Sequence, residues 1–121
     1  MWIPVALGGV AGTLARFAVQ QLIPTRAAGE FPVATLLVNL LGSFVLGFVM
    51  GHATTGTIGP RTQAALAIGF CGAFTTMSTF GYETLMLVST QAYGRAALYL
   101  AGTLLGSLVC VALGLLVQRA S

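Results

Sequence analysis

Residues 69–81 read GFCGAFTTMSTFG, and four of the five residues from 75 to 79 carry a hydroxyl group. The apolar segment around them, about 61–91, would measure about 46 Å as one straight helix, whereas the hydrocarbon core of a bilayer is about 30 Å thick. Non-helical backbone survives at that depth only when it is buried in protein or lines a wet cavity. The pattern predicts either two half-helices joined by a break near Thr75 to Ser78, or a long tilted helix whose hydroxyls bond their own carbonyls.

The rest of the chain is as apolar as this segment. Of its 121 residues, 57% are hydrophobic and 6% are charged, and the charges are five arginines and two glutamates. Soluble domains carry about 25% charged residues, so the composition excludes an ordinary soluble enzyme or binding module. Four spans of about 20 residues each leave no room for a separate soluble domain. We therefore predict an all-α integral membrane protein with one four-span domain over residues 1–121.

Four apolar stretches supply the predicted spans, at about 2–23, 32–52, 61–91 and 95–117. Three further spans follow the first one, which also lacks a basic beginning, so we interpret it as a mature membrane span rather than a signal peptide. The sequence thus predicts a multi-pass membrane protein that is surrounded by lipid.

Pairs of glycines four residues apart occur in three of these spans. Such pairs form small-residue faces that let membrane helices approach closely. They are Gly8 with Gly12, Gly47 with Gly51, and Gly102 with Gly106. Since four thin helices barely enclose a pathway, we expect an oligomer with its pore or binding site at the subunit interface.

The arginines outside the spans divide evenly between the two sides of the membrane. Arg61 and Arg119 lie on the side of the termini, and Arg26 and Arg95 lie on the other side. This balance gives no positive-inside bias, and the arginines are too scattered for a nucleic-acid binding surface. We hypothesise that the chain inserts in both orientations and pairs as an antiparallel, dual-topology dimer.

Two predicted spans each carry a ladder of polar side chains at steps of four residues, which places each ladder on one helix face. The ladders are Thr35, Asn39 and Ser43, and Tyr99, Thr103 and Ser107. They would line a hydrated track or bond neighbouring helices, at about 0.6 kcal/mol per contact. The second interpretation suits the hydroxyls, but the Asn39 amide has several hydrogen-bonding groups that are costly to leave unpaired in hydrocarbon.

Charged side chains within membrane spans are candidates for function. Arg16 would attract an anion into a vestibule or extend toward the membrane surface. Glu83 would lie in the first turns of the second half-helix or bind a proton or cation. We interpret His52 as an exposed loop residue, and Cys71 and Cys110 as buried thiols. No cluster of side chains indicates a metal site or a catalytic set, so an enzyme is not expected.

Three stretches resemble one known family. Residues 8–16 read GGVAGTLAR, residues 35–42 read TLLVNLLG, and residues 69–80 contain the hydroxyl-rich segment. A glycine-rich first span that ends in arginine, a Thr-Leu-x-Val-Asn run and this third segment are similar to the Fluc, or CrcB-like, bacterial fluoride channels. The resemblance covers essentially the whole chain.

The resemblance implies a passive fluoride-selective channel of the bacterial plasma (inner) membrane that exports fluoride from the cytoplasm, built as an antiparallel homodimer with two pores. It also implies a structural sodium ion at the dimer centre, held by the backbone carbonyls of Gly72 and Thr75. Arg16 would lie in a vestibule and Glu83 near a pore mouth. The residues that would face the fluoride path are Asn39, Met77, Ser78, Phe80, Tyr99, Thr103 and Ser107.

Met77 departs from the family pattern, which most often has a phenylalanine there. An aromatic ring has a positive edge that can face an anion, whereas a thioether is at best a weak acceptor. We hypothesise that one fluoride station is weakened or reshaped and that the pore still conducts. A heterodimer whose other chain supplies the ring is an alternative, although the charge balance favours a homodimer.

Two other functions fit a small four-span protein. A small multidrug-resistance-type, proton-coupled exporter would depend on a glutamate in its first span, where this chain has Arg16 and no acid. A purely structural subunit would leave the polar ladders and the hydroxyl-rich segment unexplained.

Overall fold

The computed structural model describes the whole chain, Met1–Ser121, and all of its regular elements are helices. Helix α1 spans Trp2–Leu22, α2 spans Val33–Thr54, the composite α3 spans Pro60–Ser89, and α4 spans Tyr93–Ala120. All four are long and apolar enough to cross a membrane. The predicted all-α, four-span fold class is therefore confirmed.

Helix α3 is broken at two residues. Its first half ends with the turn Gly72–Phe74, and its second half is the helix Met77–Ser89. Between them Thr75 and Thr76 are extended, with ψ angles of 159° and 124°. The structure thus decides between the two predicted forms of this span in favour of the break, which lies inside the predicted window.

The first half of α3 is mostly a π-helix, which the sequence did not predict. A short turn at Pro60–Gln63 leads into eight residues of π-helix, Ala64–Cys71. Long π-helices are rare, and short π-bulges concentrate at functional sites. The segment AALAIGFC is uniformly apolar, so no periodicity in it separates a π-helix from an α-helix.

Glycines bring the helices together as two close pairs, α1 with the first half of α3, and α2 with α4. A Cβ atom at Gly8 or Gly12 would collide with the backbone of α3, and one at Gly47 would collide with the Val111 carbonyl of α4. Two of the predicted glycine pairs therefore mark real close approaches.

The third predicted glycine pair does not bring backbones together. A Cβ atom at Gly102 would meet nothing within 4 Å, and one at Gly106 would meet only the Leu40 side chain. The close approach of α4 uses Gly114, where a Cβ atom would collide with the Phe44 carbonyl of α2. Within the protomer, Gly102 and Gly106 therefore do not mark a backbone contact, because spacing alone does not identify the face that packs.

Little of the chain is buried within one protomer. Only 21 of 121 residues are buried, and the largest cluster of buried apolar side chains is Phe80, Leu87, Ala96 and Tyr99. Helix α1 is mostly exposed, and Trp2 at its beginning is 90% exposed. Most of the surface is therefore free to contact lipid or another protomer.

Candidate functional site

A groove of about 510 Å³ runs between α2, α4 and the break in α3. It gathers seven of the predicted site residues, namely Asn39, Gly72, Thr75, Met77, Phe80, Thr103 and Ser107. Ser78, Tyr99, Arg16 and Glu83 are not among its lining residues. The groove is open along the side where Leu104 and Leu108 are exposed.

Asn39 pairs with the backbone of the break. Its Nδ2 donates to the Thr76 carbonyl at 3.2 Å, and its Oδ1 accepts from the Thr76 N–H at 2.9 Å. The amide is thus partnered, as its position in an apolar span requires. Because Nδ2 carries two hydrogens, one N–H is left for another acceptor. Asn39 is 8% exposed and lines the groove.

Thr103 lines the groove and carries an unpaired hydroxyl. Its Oγ1 is buried and has no hydrogen-bond partner, although an unpaired buried polar group is costly. Ser107 lines the groove one turn later and is partly buried. The third member of the other ladder, Ser43, instead donates to the Asn39 carbonyl at 2.7 Å. The α4 ladder therefore has an unpaired hydroxyl in the wall of the groove, whereas the Ser43 hydroxyl bonds its own helix.

The two ends of the break are stabilised by different groups. Thr75 bonds the Cys71 carbonyl through its N–H at 3.0 Å and its Oγ1 at 2.8 Å. Thr76 caps the second half-helix, because its Oγ1 accepts from the Thr79 N–H at 3.3 Å. The Thr75 carbonyl itself accepts no hydrogen bond. This oxygen is therefore available to a ligand.

Arg16 reaches the break from α1. Its Nε donates to the Ala73 carbonyl at 3.0 Å, at the end of the first half-helix. A cation at a helix C-terminus is stabilised by the negative end of the helix dipole. Arg16 is partly buried. Its contact with α3 differs from the predicted extension toward the membrane surface, which was one of its two predicted roles.

Tyr99 and Glu83 form a separate polar contact beyond the groove. The fully buried Tyr99 donates through its hydroxyl to Glu83 Oε1 at 2.9 Å. Its ring lies 5.0 Å from the ring of Phe80 and 5.6 Å from that of Phe31, measured between centroids. Phe80 lines the groove on its other side, so it separates the groove from this pair.

Glu83 lies near the surface of the chain. It lines two surface cavities of about 360 and 250 Å³, whose other walls include the α1–α2 loop. Arg95 holds that loop by donating through Nη1 to the Gly29 carbonyl at 2.6 Å. Glu83 therefore lies between the buried Tyr99 and two cavities at the surface of the chain.

Met77 and Ser78 begin the second half-helix and are both exposed. Met77 is 71% exposed, whereas Phe80, one turn later, is 6% exposed. Met77 forms the outer rim of the groove, and Ser78 approaches Thr76 with 3.4 Å between their hydroxyl oxygens. These positions leave both side chains accessible to a second protomer.

The residues that line the groove outside the predicted set include Thr76 and Cys71. Thr76 holds Asn39 through its backbone, and its place in the hydroxyl-rich run was the one available signal. Cys71 lines the groove as a buried free thiol, while Cys110 is partly buried and also free. The prediction of a buried thiol holds fully for Cys71 and in part for Cys110.

Elsewhere, His52 is not the exposed loop residue that the sequence predicted. It lies in the last turn of α2, partly buried, with its ring edge-on to Phe48 and 4.8 Å between centroids. No group of three or more His, Cys, Asp or Glu residues comes together as a metal site.

Comparison with known proteins gives one consistent result. Residues 3–115 match the family described as CrcB-like protein, Camphor Resistance (CrcB). The chain is 42% identical to the fluoride-specific ion channel FluC 2 of Moorella thermoacetica over 93% of this chain and 92% of that protein. It is 44% identical to the fluoride-specific ion channel FluC of Chlorobaculum tepidum, over 95% and 91% of the two chains. For the protein of the same name from Thermococcus onnurineus the identity is 39%, over 97% and 94%.

Proposed function

Because the chain belongs to the CrcB-like protein family, we propose that it is a fluoride-specific channel that lets fluoride leave the cytoplasm passively. It is a multi-pass membrane protein and, like relatives that are named as channels, not an enzyme. The observation that carries the proposal is the groove that joins Asn39, Thr103 and Ser107 beside the break in α3.

The groove offers the donors that a small, strongly hydrated anion needs. Fluoride must exchange its water for other hydrogen-bond donors to cross a membrane. The second N–H of Asn39 and the free hydroxyl of Thr103 are such donors, and Ser107 adds another hydroxyl nearby. The lining of the groove contains no acidic side chain that would repel an anion.

The proposed path continues from the groove past Phe80 to Tyr99 and Glu83. A phenylalanine that turns its positive edge to an anion attracts it without replacing all of its water. Tyr99 borders the proposed path next, with its one O–H donated to Glu83, and Glu83 marks the mouth. Met77 and Ser78 would contribute from the rim, with the Met77 thioether giving a weaker station than an aromatic ring.

A second copy of the chain, inverted relative to the first, is the proposed cover of the groove. The open side of the groove is apolar, with exposed Leu104 and Leu108 beside Met77, and the even division of arginines favours both orientations. An antiparallel homodimer in the bacterial plasma membrane would contain two such grooves. A different second chain that supplies a phenylalanine opposite Met77 is the alternative partner.

Reporter fusions test the inverted pairing. We expect a C-terminal reporter to be found on both sides of the inner membrane in comparable amounts, because the arginines give no bias. Added lysines in the loop at 53–61 should drive the chain into one orientation, which controls for reporter performance. A single orientation of the unmodified chain would contradict the dual-topology proposal.

Sodium is the cofactor that we propose for the dimer centre. Hard cations prefer oxygen ligands, and the Thr75 carbonyl accepts no hydrogen bond. Gly72 is exposed and lines the groove three residues before Thr75. In the proposed dimer the Gly72 and Thr75 carbonyls of both protomers hold the ion, whose charge would add positive potential near the anion path.

Replacing Thr103 by valine tests the pore residues directly. Valine keeps the shape and removes a hydroxyl that has no partner, so thermal stability should stay the same or rise. Fluoride flux should fall about tenfold, because a donor to the desolvated anion is lost. The measurement is fluoride efflux from liposomes alongside the thermal unfolding midpoint.

The matched control for that substitution is Thr84→Val. Thr84 is a partly buried threonine whose hydroxyl donates to the Phe80 carbonyl at 2.7 Å and which does not line the groove. Its replacement should leave fluoride flux near the unmodified value. If the Thr103 variant and the unmodified protein conduct fluoride equally well, Thr103 does not contribute to the fluoride path.

A proton-coupled exporter of the small multidrug-resistance type has little support. Such a protein would need an acid in its first span, but α1 has none and uses Arg16 to bond the backbone of α3. Glu83, the acid within the spans, is bonded to Tyr99 and lies outside the groove.

A further inference from the structure

Side chains from two helices bond the backbone on both sides of Thr75. From α1, Arg16 Nε donates to the Ala73 carbonyl at 3.0 Å. From α2, Asn39 donates to the Thr76 carbonyl at 3.2 Å and accepts from the Thr76 N–H at 2.9 Å. These three hydrogen bonds attach the break in α3 to the two helices that flank it.

The carbonyls along the break differ in their partners. Ala73 and Thr76 are three residues apart, and the carbonyls of both accept from these side chains. Gly72 and Thr75 are also three residues apart; Gly72 is exposed, and the Thr75 carbonyl accepts no hydrogen bond. The first pair is thus bonded within the protomer, and the Thr75 carbonyl of the second pair is left for a partner outside it.

The chemistry of the two side chains suits a holding role. A guanidinium presents its donors in a rigid plane, which suits Arg16 to a fixed contact with the Ala73 carbonyl. The Asn39 amide matches both the backbone donor and the backbone acceptor of one residue, Thr76. Together they prevent the extended residues from closing into a continuous helix, in which the Thr75 carbonyl would bond within the chain.

We propose that Arg16 and Asn39 are positioning residues for the sodium ion, which they do not touch. By holding Ala73 and Thr76 they turn the Gly72 and Thr75 carbonyls outward, toward the dimer centre. The inference rests on the proposed function, because it concerns the sodium ion proposed above. It adds that the affinity for sodium is determined by side chains of α1 and α2.

Sodium affinity in the purified dimer tests this role separately from transport. Sodium is titrated at constant ionic strength against a large organic cation, and the thermal unfolding midpoint reports binding. For Asn39→Ala and for Arg16→Met the apparent dissociation constant for sodium should rise about tenfold, because a hydrogen bond that fixes the ligands is lost. Arg16→Lys keeps a charged donor and should recover part of the affinity.

Ser43→Ala is the matched control. Ser43 lines the same groove, but its hydroxyl donates to the carbonyl of Asn39 and not to the break. The sodium affinity of this variant should equal that of the unmodified protein. If Asn39→Ala does not yield folded dimer, Asn39→Asp keeps the acceptor for the Thr76 N–H and should show an intermediate loss.

Three results would overturn the inference. Unchanged sodium affinity in the Arg16 and Asn39 variants would show that these bonds do not orient the carbonyls. An equal loss in Ser43→Ala would show general loosening of the groove. An unmodified protein that conducts fluoride but shows no response to sodium would remove the ion and this inference, and leave the fluoride proposal standing. Conversely, sodium binding without fluoride flux would contradict the channel and not the positioning role.

Discussion

Replacing Asn39 by aspartate is expected to lower fluoride flux by about a hundredfold or more. A carboxylate about 4 Å from the anion opposes it by about 4 kcal/mol at an effective dielectric constant of 20, which corresponds to about a thousandfold. The change also removes the donor to the Thr76 carbonyl, although the acceptor for the Thr76 N–H remains. The measurement is fluoride efflux from liposomes that contain equal amounts of dimeric protein.

Ser43→Ala serves as the control in the same groove. It removes a hydroxyl that is already satisfied by the Asn39 carbonyl, so its flux should remain close to that of the unmodified protein. If Asn39→Asp conducts as well as the unmodified protein, Asn39 serves only to hold the break, and the anion path lies elsewhere.

Gly47→Leu is expected to prevent α2 and α4 from packing. The first atom of any side chain at this position would collide with the Val111 carbonyl, and backbone cannot yield as a flexible side chain does. Overpacking a tight interior costs about 1–3 kcal/mol even where side chains can rearrange, so this substitution should exceed that range. Little folded protein should be recovered, as measured by size-exclusion chromatography and thermal unfolding in detergent.

Gly102→Leu is the matched glycine on α4. A Cβ atom there would meet nothing within 4 Å, so the protomer should fold with a thermal midpoint close to that of the unmodified chain. Recovery of Gly47→Leu at the level of Gly102→Leu would contradict the close packing of α2 and α4.

The fold followed from composition and length, while the packing partners did not. Four apolar stretches in 121 residues allow few arrangements other than four spans. Within the protomer, the glycine spacing predicted the close approach at Gly8 and Gly47, whereas Gly102 meets no neighbouring helix. Gly114, which makes the real contact, has no glycine four residues away. A pair of glycines describes the face of one helix, whereas close packing also depends on the face of the helix opposite.

The residues of the candidate site were also predictable from the sequence, whereas their partners were not. The cost of burying an amide predicted that Asn39 has partners, but its partner is the Thr76 backbone, which is available only once α3 is broken. Tyr99 was assigned to a ladder with Thr103, and the contact of its hydroxyl with Glu83 could not be inferred because it joins α4 to the far half of α3. Local patterns predicted which residues are unusual, and tertiary contacts decide what they bind.

Passive fluoride efflux from reconstituted liposomes is the most direct test of the central claim. Purified protein is placed in liposomes loaded with fluoride, a potassium ionophore balances the charge, and an electrode records the release. The proposed channel predicts rapid fluoride release without a proton gradient, and no comparable release when the liposomes are loaded with chloride. Absence of fluoride release, or chloride release of equal size, would contradict it.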